Sequence, residues 1–153
     1  MRSLGILSLL GLVTLVCVTG CQSSKPGSSS HAAVEIKGHP IDEIWTTTIV
    51  VFAEQGYRLR TNSAIQLFFD RPATTAEKLK YGDWMNDGMA MEIKVRLQEL
   101  AADTCLLRAD AYVVQDPNSS FFRSERRIYS LSGAPYRKLL EEVALRVQFP
   151  LPN

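Results

Sequence analysis

Met89-Ala-Met-Glu-Ile-Lys-Val-Arg-Leu-Gln-Glu99, followed after a short turn by Cys105-Leu-Leu-Arg-Ala-Asp-Ala-Tyr-Val113, decides the fold. In the first run Met91, Ile93, Val95 and Leu97 alternate with Glu92, Lys94, Arg96 and Gln98. Successive side chains of a strand point to opposite faces, so this period buries one face and wets the other. In the second run Cys105, Leu107, Ala109, Ala111 and Val113 keep the inward phase, opposite Arg108, Asp110 and Tyr112. Ala101 to Asp103 supply the turn, and two antiparallel strands with one wet face follow.

Toward the C-terminus, Gln115 to Ser120 contains Asp116-Pro117-Asn118 and predicts a second turn. Phe121 to Leu131 is then expected to pair back as a strand, and its mixed in/out phase implies a bulge or an edge. Ser132 to Pro135 opens a final helix, in which Tyr136, Leu139, Leu140, Val143 and Val147 form an apolar stripe with Arg137, Lys138, Glu141 and Glu142 outside. Phe149-Pro150 ends it.

Toward the N-terminus, Tyr57, Leu59 and Thr61 alternate with Arg58 and Arg60, which predicts a strand buried on one side. Asn62-Ser63 turns the chain into a partner strand with Ile65, Leu67 and Phe69 on one face, completing a hairpin. Before it, Ile41, Ile44, Trp45, Thr48 and Phe52 recur at helical spacing. Pro40 stands at the entry, Asp42 and Glu43 lie in the first turn, and Gly56 forms the stop. The β-branched run Thr46 to Val51 makes a strand the rival reading, and the acidic entry and glycine exit decide for helix. Val34 to Lys37, ended by Gly38, is a short strand. The order β-α-β-β-β-β-β-α predicts an α+β fold: an antiparallel sheet of about five to six strands with two helices packed on one face. Residues 34 to 149 suit a single domain.

Residues 1 to 20 read differently. Arg2 precedes an uncharged apolar run from Leu4 to Val18. At about 15 residues this run is shorter than the roughly 20 that span a bilayer core, and it ends in small residues without a basic stop. It is expected to be a secretory signal peptide, in preference to an uncleaved anchor. The run closes with Val18-Thr19-Gly20-Cys21, which resembles the lipobox of bacterial lipoproteins: an aliphatic residue, a small residue and Gly before a cysteine. The resemblance implies diacylglycerylation of Cys21, cleavage between Gly20 and Cys21, and acylation of the new amino group. Gln22, where an Asp in that family often retains the product in the inner membrane, implies the outer membrane, facing the periplasm. Two or more acyl chains hold a protein stably, whereas one does not. Cys17 is a poor competitor, because bulky Val16 would stand at the cleavage site.

The segment from Cys21 to residue 33 is rich in Ser and poor in apolar residues, the composition of a disordered tether. Twelve such residues span about 20 Å as a coil and about 40 Å when taut. With Cys17 removed and Cys21 consumed, Cys105 has no intramolecular thiol partner and reads as a buried strand residue. The folded part resembles the helix-grip domains of envelope lipoproteins, such as those of the outer-membrane β-barrel assembly machinery. The resemblance is carried by Ile41-Asp-Glu-Ile-Trp45, by Glu54-Gln-Gly-Tyr57 and by the meander before the last helix.

Removing residues 1 to 20, which hold Arg2 and no acid, brings the net charge from +1 to zero. A nucleic-acid partner would call for a basic excess or stripe, and the densest basic group, Arg123, Arg126 and Arg127, is interrupted by Glu125. The histidines are His31, in the tether, and His39, at a helix entry, and neither marks a catalytic triad. No HExxH, CxxC, P-loop or GxGxxG is present, so neither a metal nor a cofactor is implied. Asp83 to Gly88 does not fit a calcium loop, whose third and twelfth positions would be Met85 and Lys94. The reading is therefore non-enzymatic.

Residues 71 to 88 form a long polar segment in which only Thr75 to Leu79 suggests a helical turn, and segments of this kind often carry function. It places Tyr81, Trp84 and Met85 as candidate partner contacts, although Trp84 folded back on the core is the plainer reading. Phe121 and Phe122 are further candidates, against packing at a sheet edge. The expected function is that of a membrane-anchored interaction or scaffold module of the cell envelope. It would be held to the membrane through Cys21 and would bind another envelope protein. The alternative is a small-ligand or lipid carrier with an apolar cavity between helix and sheet.

Overall fold

The computed structural model describes residues 32–81, 88–128 and 133–150. In chain order the elements are β1 (Ala32–Lys37), α1 (Ile41–Glu54), β2 (Arg58–Ser63), β3 (Gln66–Pro72), α2 (Thr75–Tyr81), β4 (Met89–Ala101), β5 (Thr104–Gln115), β6 (Ser124–Arg127) and α3 (Ala134–Gln148). The strands form one six-stranded antiparallel sheet in the order β1-β5-β4-β3-β2. β6 also pairs with β5, so a single edge of β5 carries β1 opposite Thr104 to Ala109 and β6 opposite Tyr112 to Gln115. This is the expected α+β architecture with an added helix, α2. Among the described residues no helix is long and apolar enough to cross a membrane.

The β4–β5 hairpin follows its alternation closely. Met91 stands opposite Val113, Ile93 opposite Ala111, Val95 opposite Ala109 and Leu97 opposite Leu107. All of these except the half-buried Leu97 are buried. Helix α3 covers this face with Tyr136, Leu140, Val143, Ala144 and Val147. Helix α1 adds Ile44, Trp45, Thr48, Val51 and Phe52. Fully burying a side chain of this size contributes about 1.5–3 kcal/mol, so this layer carries the fold. Phe52 stacks on Phe69 of β3 at 4.6 Å between ring centroids. Arg146 of α3 clasps Glu54 of α1 with two hydrogen bonds of 2.8 and 2.7 Å and takes Glu142 at 2.7 Å, tying the helices together.

Helix α1 ends as Gly56 predicts. Gly56 has φ +78°, its N–H donates to the Ala53 carbonyl, and the Tyr57 N–H reaches back to Phe52. This paired closure satisfies the last carbonyls of the helix, and a left-handed residue is what it requires.

The structure departs from the sequence pattern in five places. Asn62 and Ser63, expected to turn the chain, are instead the last paired residues of β2, and the turn falls at Ala64 and Ile65. β1 begins at Ala32, ahead of the expected Val34. The alternation of Tyr57, Leu59 and Thr61 predicts a half-buried strand, but only Tyr57 is buried and β2 is exposed throughout. β2 is the outer edge, and its ladder with β3 slips between Leu59 and Thr61, so Arg60 is an extra residue that breaks the parity. Ile65, expected to share the inward face of Leu67 and Phe69, stands exposed in the β2–β3 turn. Finally, β6 starts at Ser124 rather than Phe121, because Phe121 and Phe122 belong to the preceding turn.

The outer face of the sheet is charged and carries several ion pairs, while Asp70 Oδ1 and Arg108 Nε are buried without a hydrogen-bond partner among the described residues. Asp110 is almost fully buried there, between Arg96 and Arg127, as a buried charge must be. Arg123 holds Glu92 at 2.8 and 2.7 Å, and Lys94 reaches Glu125 at 2.5 Å while lying 4.1 Å from the centre of the Tyr112 ring.

Candidate interaction site

A concave part of the described surface lies at one end of the sheet, where β3 hands over to α2. β3 leaves the sheet at Pro72, and the Ala73 N–H still donates to the Met89 carbonyl at 3.0 Å. Thr74 then caps α2. Its hydroxyl oxygen accepts the Glu77 N–H at 3.3 Å, while the Glu77 carboxylate accepts the Thr74 N–H at 2.9 Å. This reciprocal pair is a capping box, and it is written in the sequence as Thr74-x-x-Glu77. Arg71 completes it by donating to both oxygens of Glu77, at 2.8 and 2.6 Å, and to the Pro72 carbonyl at 3.1 Å. At the other end of α2, Arg126 of β6 donates to the Tyr81 carbonyl at 2.9 Å. A seven-residue helix with no buried side chain is thus fixed at both ends by arginines from the sheet.

Between α2, the start of α3 and the exit of α1 lies an open cleft of about 570 Å³. Tyr57, Tyr81, Tyr136, Pro135 and Leu139 give it apolar walls, and Arg71, Glu77 and Lys80 give it charge. The Arg71 guanidinium lies 4.8 Å above the centre of the Tyr57 ring, within cation–π range.

Burial and mutual contacts shift four of these groups, Tyr57, Arg71, Glu77 and Tyr136. Burial pushes the Tyr57 phenol above its ordinary range, and the nearby Arg71 only partly offsets this. Burial raises Tyr136 further, reinforced by Tyr57, Glu77 and Tyr81. For Glu77 burial pulls upward, but the hydrogen bonds from Arg71 and Thr74 win and leave the carboxyl below its ordinary value. The Glu77 hydrogen bonds raise Arg71 in turn. At pH 7 the phenols stay protonated, Glu77 stays ionised and Arg71 stays charged. Fixed phenols, a fixed guanidinium and apolar walls suit recognition.

Of the candidate contact residues, Tyr81 lines this cleft. Phe121 and Phe122 lie outside it, in the turn after β5 at the same end of the sheet, with 92% and 78% of their surface exposed. Packing at a sheet edge, the plainer expectation for them, does not occur. Trp84 and Met85 lie outside the described residues, as do Gly20 and Cys21. His39 has its Nδ1 3.1 Å from Glu43, one turn along α1. Cys105 is buried opposite Ile36, and burial, with Glu99, pushes its thiol upward. Among the described residues no three His, Cys, Asp or Glu side chains converge as a metal site would require. Arg71, Tyr57 and Tyr136 have no local sequence signal, since they meet only through the tertiary fold. The clues to α2 were the helical turn read at Thr75 to Leu79 and the capping box ahead of it.

No family model and no curated protein matches this chain. Among solved structures, the adenylate sensor of AMP-activated protein kinase, in a complex with the nucleotide ZMP, is similar with a TM-score of 0.46 and 13% identity. The match covers 78% of this chain and 97% of that one. A likeness at this level carries no functional weight.

Proposed function

We infer that the protein is a lipid-anchored, non-enzymatic interaction module of the bacterial cell envelope. It is anchored through Cys21 on the periplasmic side of the outer membrane and receives a partner protein in the Tyr57–Tyr81–Tyr136 cleft. The observation that carries this reading is the geometry of the cleft: an open concavity with the half-buried Tyr81 on its wall, the Arg71–Glu77 clasp fixing one side, and Tyr57 and Tyr136 buried beneath it. Interface hot spots draw on tyrosine and arginine because both offer large contact area with a polar handle. A photocrosslinker at Lys80, on the cleft rim, tests the reading in intact cells against the same group at Val50, exposed on α1. A discrete product from position 80, lost with Arg71→Ala and with Cys21→Ser, is expected. Identical products from both positions would refute partner docking at the cleft.

The carrier alternative expects an apolar cavity between helix and sheet. Leu140, Val143 and Val147 occupy that layer against Met91, Ile93 and Val95. The cleft's volume nevertheless falls within the roughly 300–1,000 Å³ of small-molecule sites, so a carried ligand would sit at the end of the sheet. Native mass spectrometry of the purified protein distinguishes the two readings. A bound small molecule released by Tyr136→Ala would favour the carrier.

A further inference from the structure

The turn between β5 and β6 presents Phe121 and Phe122 to solvent, whereas Trp45, Phe52, Tyr57, Phe69 and Tyr136 of the same domain are buried. The turn is built to lose water cheaply. The Ser119 N–H donates to the Asp116 carbonyl at 2.9 Å, and the Ser119 hydroxyl oxygen accepts the N–H groups of Phe121 and Phe122 at 3.3 and 3.0 Å. Backbone donors that would be costly to desolvate are therefore already satisfied. Arg123 is drawn back onto the sheet by Glu92 and the Pro117 carbonyl, so the projecting residues 117 to 122 carry no charge.

The direction of the chain points to what covers this tip. β1 runs antiparallel to β5 with Ala32 opposite Ala109, so the chain preceding Ala32 begins on the side toward Gln115 and the tip. From Ala109 to Gln115 is about 20 Å at strand rise. The ten residues from Gln22 to His31 reach about 18 Å as a coil and about 36 Å when taut. An anchor at Cys21 and the aromatic tip can therefore meet one plane together, and a tether of matched length makes the second contact intramolecular.

We propose that the Phe121–Phe122 tip is a second, reversible membrane contact that enters the headgroup–acyl boundary of the leaflet holding Cys21. It thereby orients the domain with its cleft end toward the lipid. Aromatic side chains favour that boundary. The proposal rests on the lipid-anchor reading. The test uses the lipidated full chain in vesicles of phosphatidylethanolamine with a minority of phosphatidylglycerol and nitroxide-labelled acyl chains. An environment-sensitive fluorophore is attached at Phe121→Cys or, as a control, at Ile65→Cys, which is exposed at the opposite end of the sheet. Cys105 is buried and stays unlabelled. Blue-shifted emission and several-fold stronger nitroxide quenching at position 121 than at 65 is the expected result. Equal quenching at both positions, or none at 121 in chain that floats with the vesicles, overturns the tip contact alone. A blue shift without quenching places the tip against protein and also overturns it. Chain that fails to float overturns the anchor reading and the tip with it.

Discussion

Replacing Glu77 by Ala should loosen α2 while leaving the sheet intact. The helix has seven residues and buries none of them, well below the roughly 12–15 at which an isolated helix becomes marginally stable. Its order depends on contacts that converge on this carboxylate. Losing the capping interaction costs about 1 kcal/mol. The two hydrogen bonds from Arg71 are charge-assisted, with side chains 18% and 20% exposed, and are discounted for that partial exposure. They bring the local loss to roughly 2–3 kcal/mol. At tenfold per 1.4 kcal/mol, amide exchange in α2 should quicken about 30- to 150-fold. Hydrogen exchange from Lys78, whose N–H is bonded to the Thr74 carbonyl at 2.9 Å, to Tyr81 reads this directly. Amides of β4 and β5 should not change, and Glu77→Gln should fall between the wild type and Glu77→Ala. Unchanged exchange in α2 would show that something other than this clasp holds the wall of the cleft.

Four further outcomes follow from the same structure. Leu140→Ala opens space in the fully buried layer and should cost about 3–5 kcal/mol, lowering Tm by roughly 10–25 °C. Leu145→Ala, on the exposed side of the same helix, should stay within about 0.5 kcal/mol in denaturant titration. Gly56→Ala meets no neighbouring atom but forces φ +78° on an L-residue, so it should cost about 1–2 kcal/mol without changing the fold seen by circular dichroism. On acidification, Glu77 and Glu54 both have folded-state values below the ordinary 4.5, so their contributions are complete above about pH 4.5 and are lost as pH falls through each folded value. Tm should be flat from neutral to about pH 5 and decline below it, less steeply in Arg71→Ala. A Tm that rises below that point contradicts the assignment.

The sheet was legible where one physical signal dominated. In β4 and β5 the inward phase holds from Met91 to Val95 and from Cys105 to Val113, although Ala90, Asp110 and Val114 of the opposite phase are buried as well. In α3 the stripe at three- and four-residue spacing matches the buried set with only Leu139 half exposed. β2 misled because its alternation is a local pattern, whereas its exposure comes from edge position and the bulge at Arg60. Phe121 and Phe122 have strand propensity, but the Ser119 hydroxyl takes their N–H groups and keeps them in the turn. Helix α2 has no apolar stripe at all, and its capping box is a signal about hydrogen bonds. The cleft was the least legible part. Tyr57, Arg71 and Tyr136 come from three separate segments: the β2–β3 ladder, with Arg58 opposite Asp70, sets Tyr57 beside Arg71, and the start of α3 brings Tyr136 to them.

The lipid anchor remains the centre of the functional account, and intact-mass measurement of the native protein extracted from membranes, beside Cys21→Ser, tests it most directly. The account predicts a chain beginning at Cys21 with the added mass of a diacylglyceryl group and an amide-linked acyl chain, confined to the membrane fraction. Cys21→Ser should instead keep its first 20 residues and carry no acyl mass. A native protein of unmodified mass, or a Cys21→Ser variant processed and membrane-bound like the wild type, would contradict it.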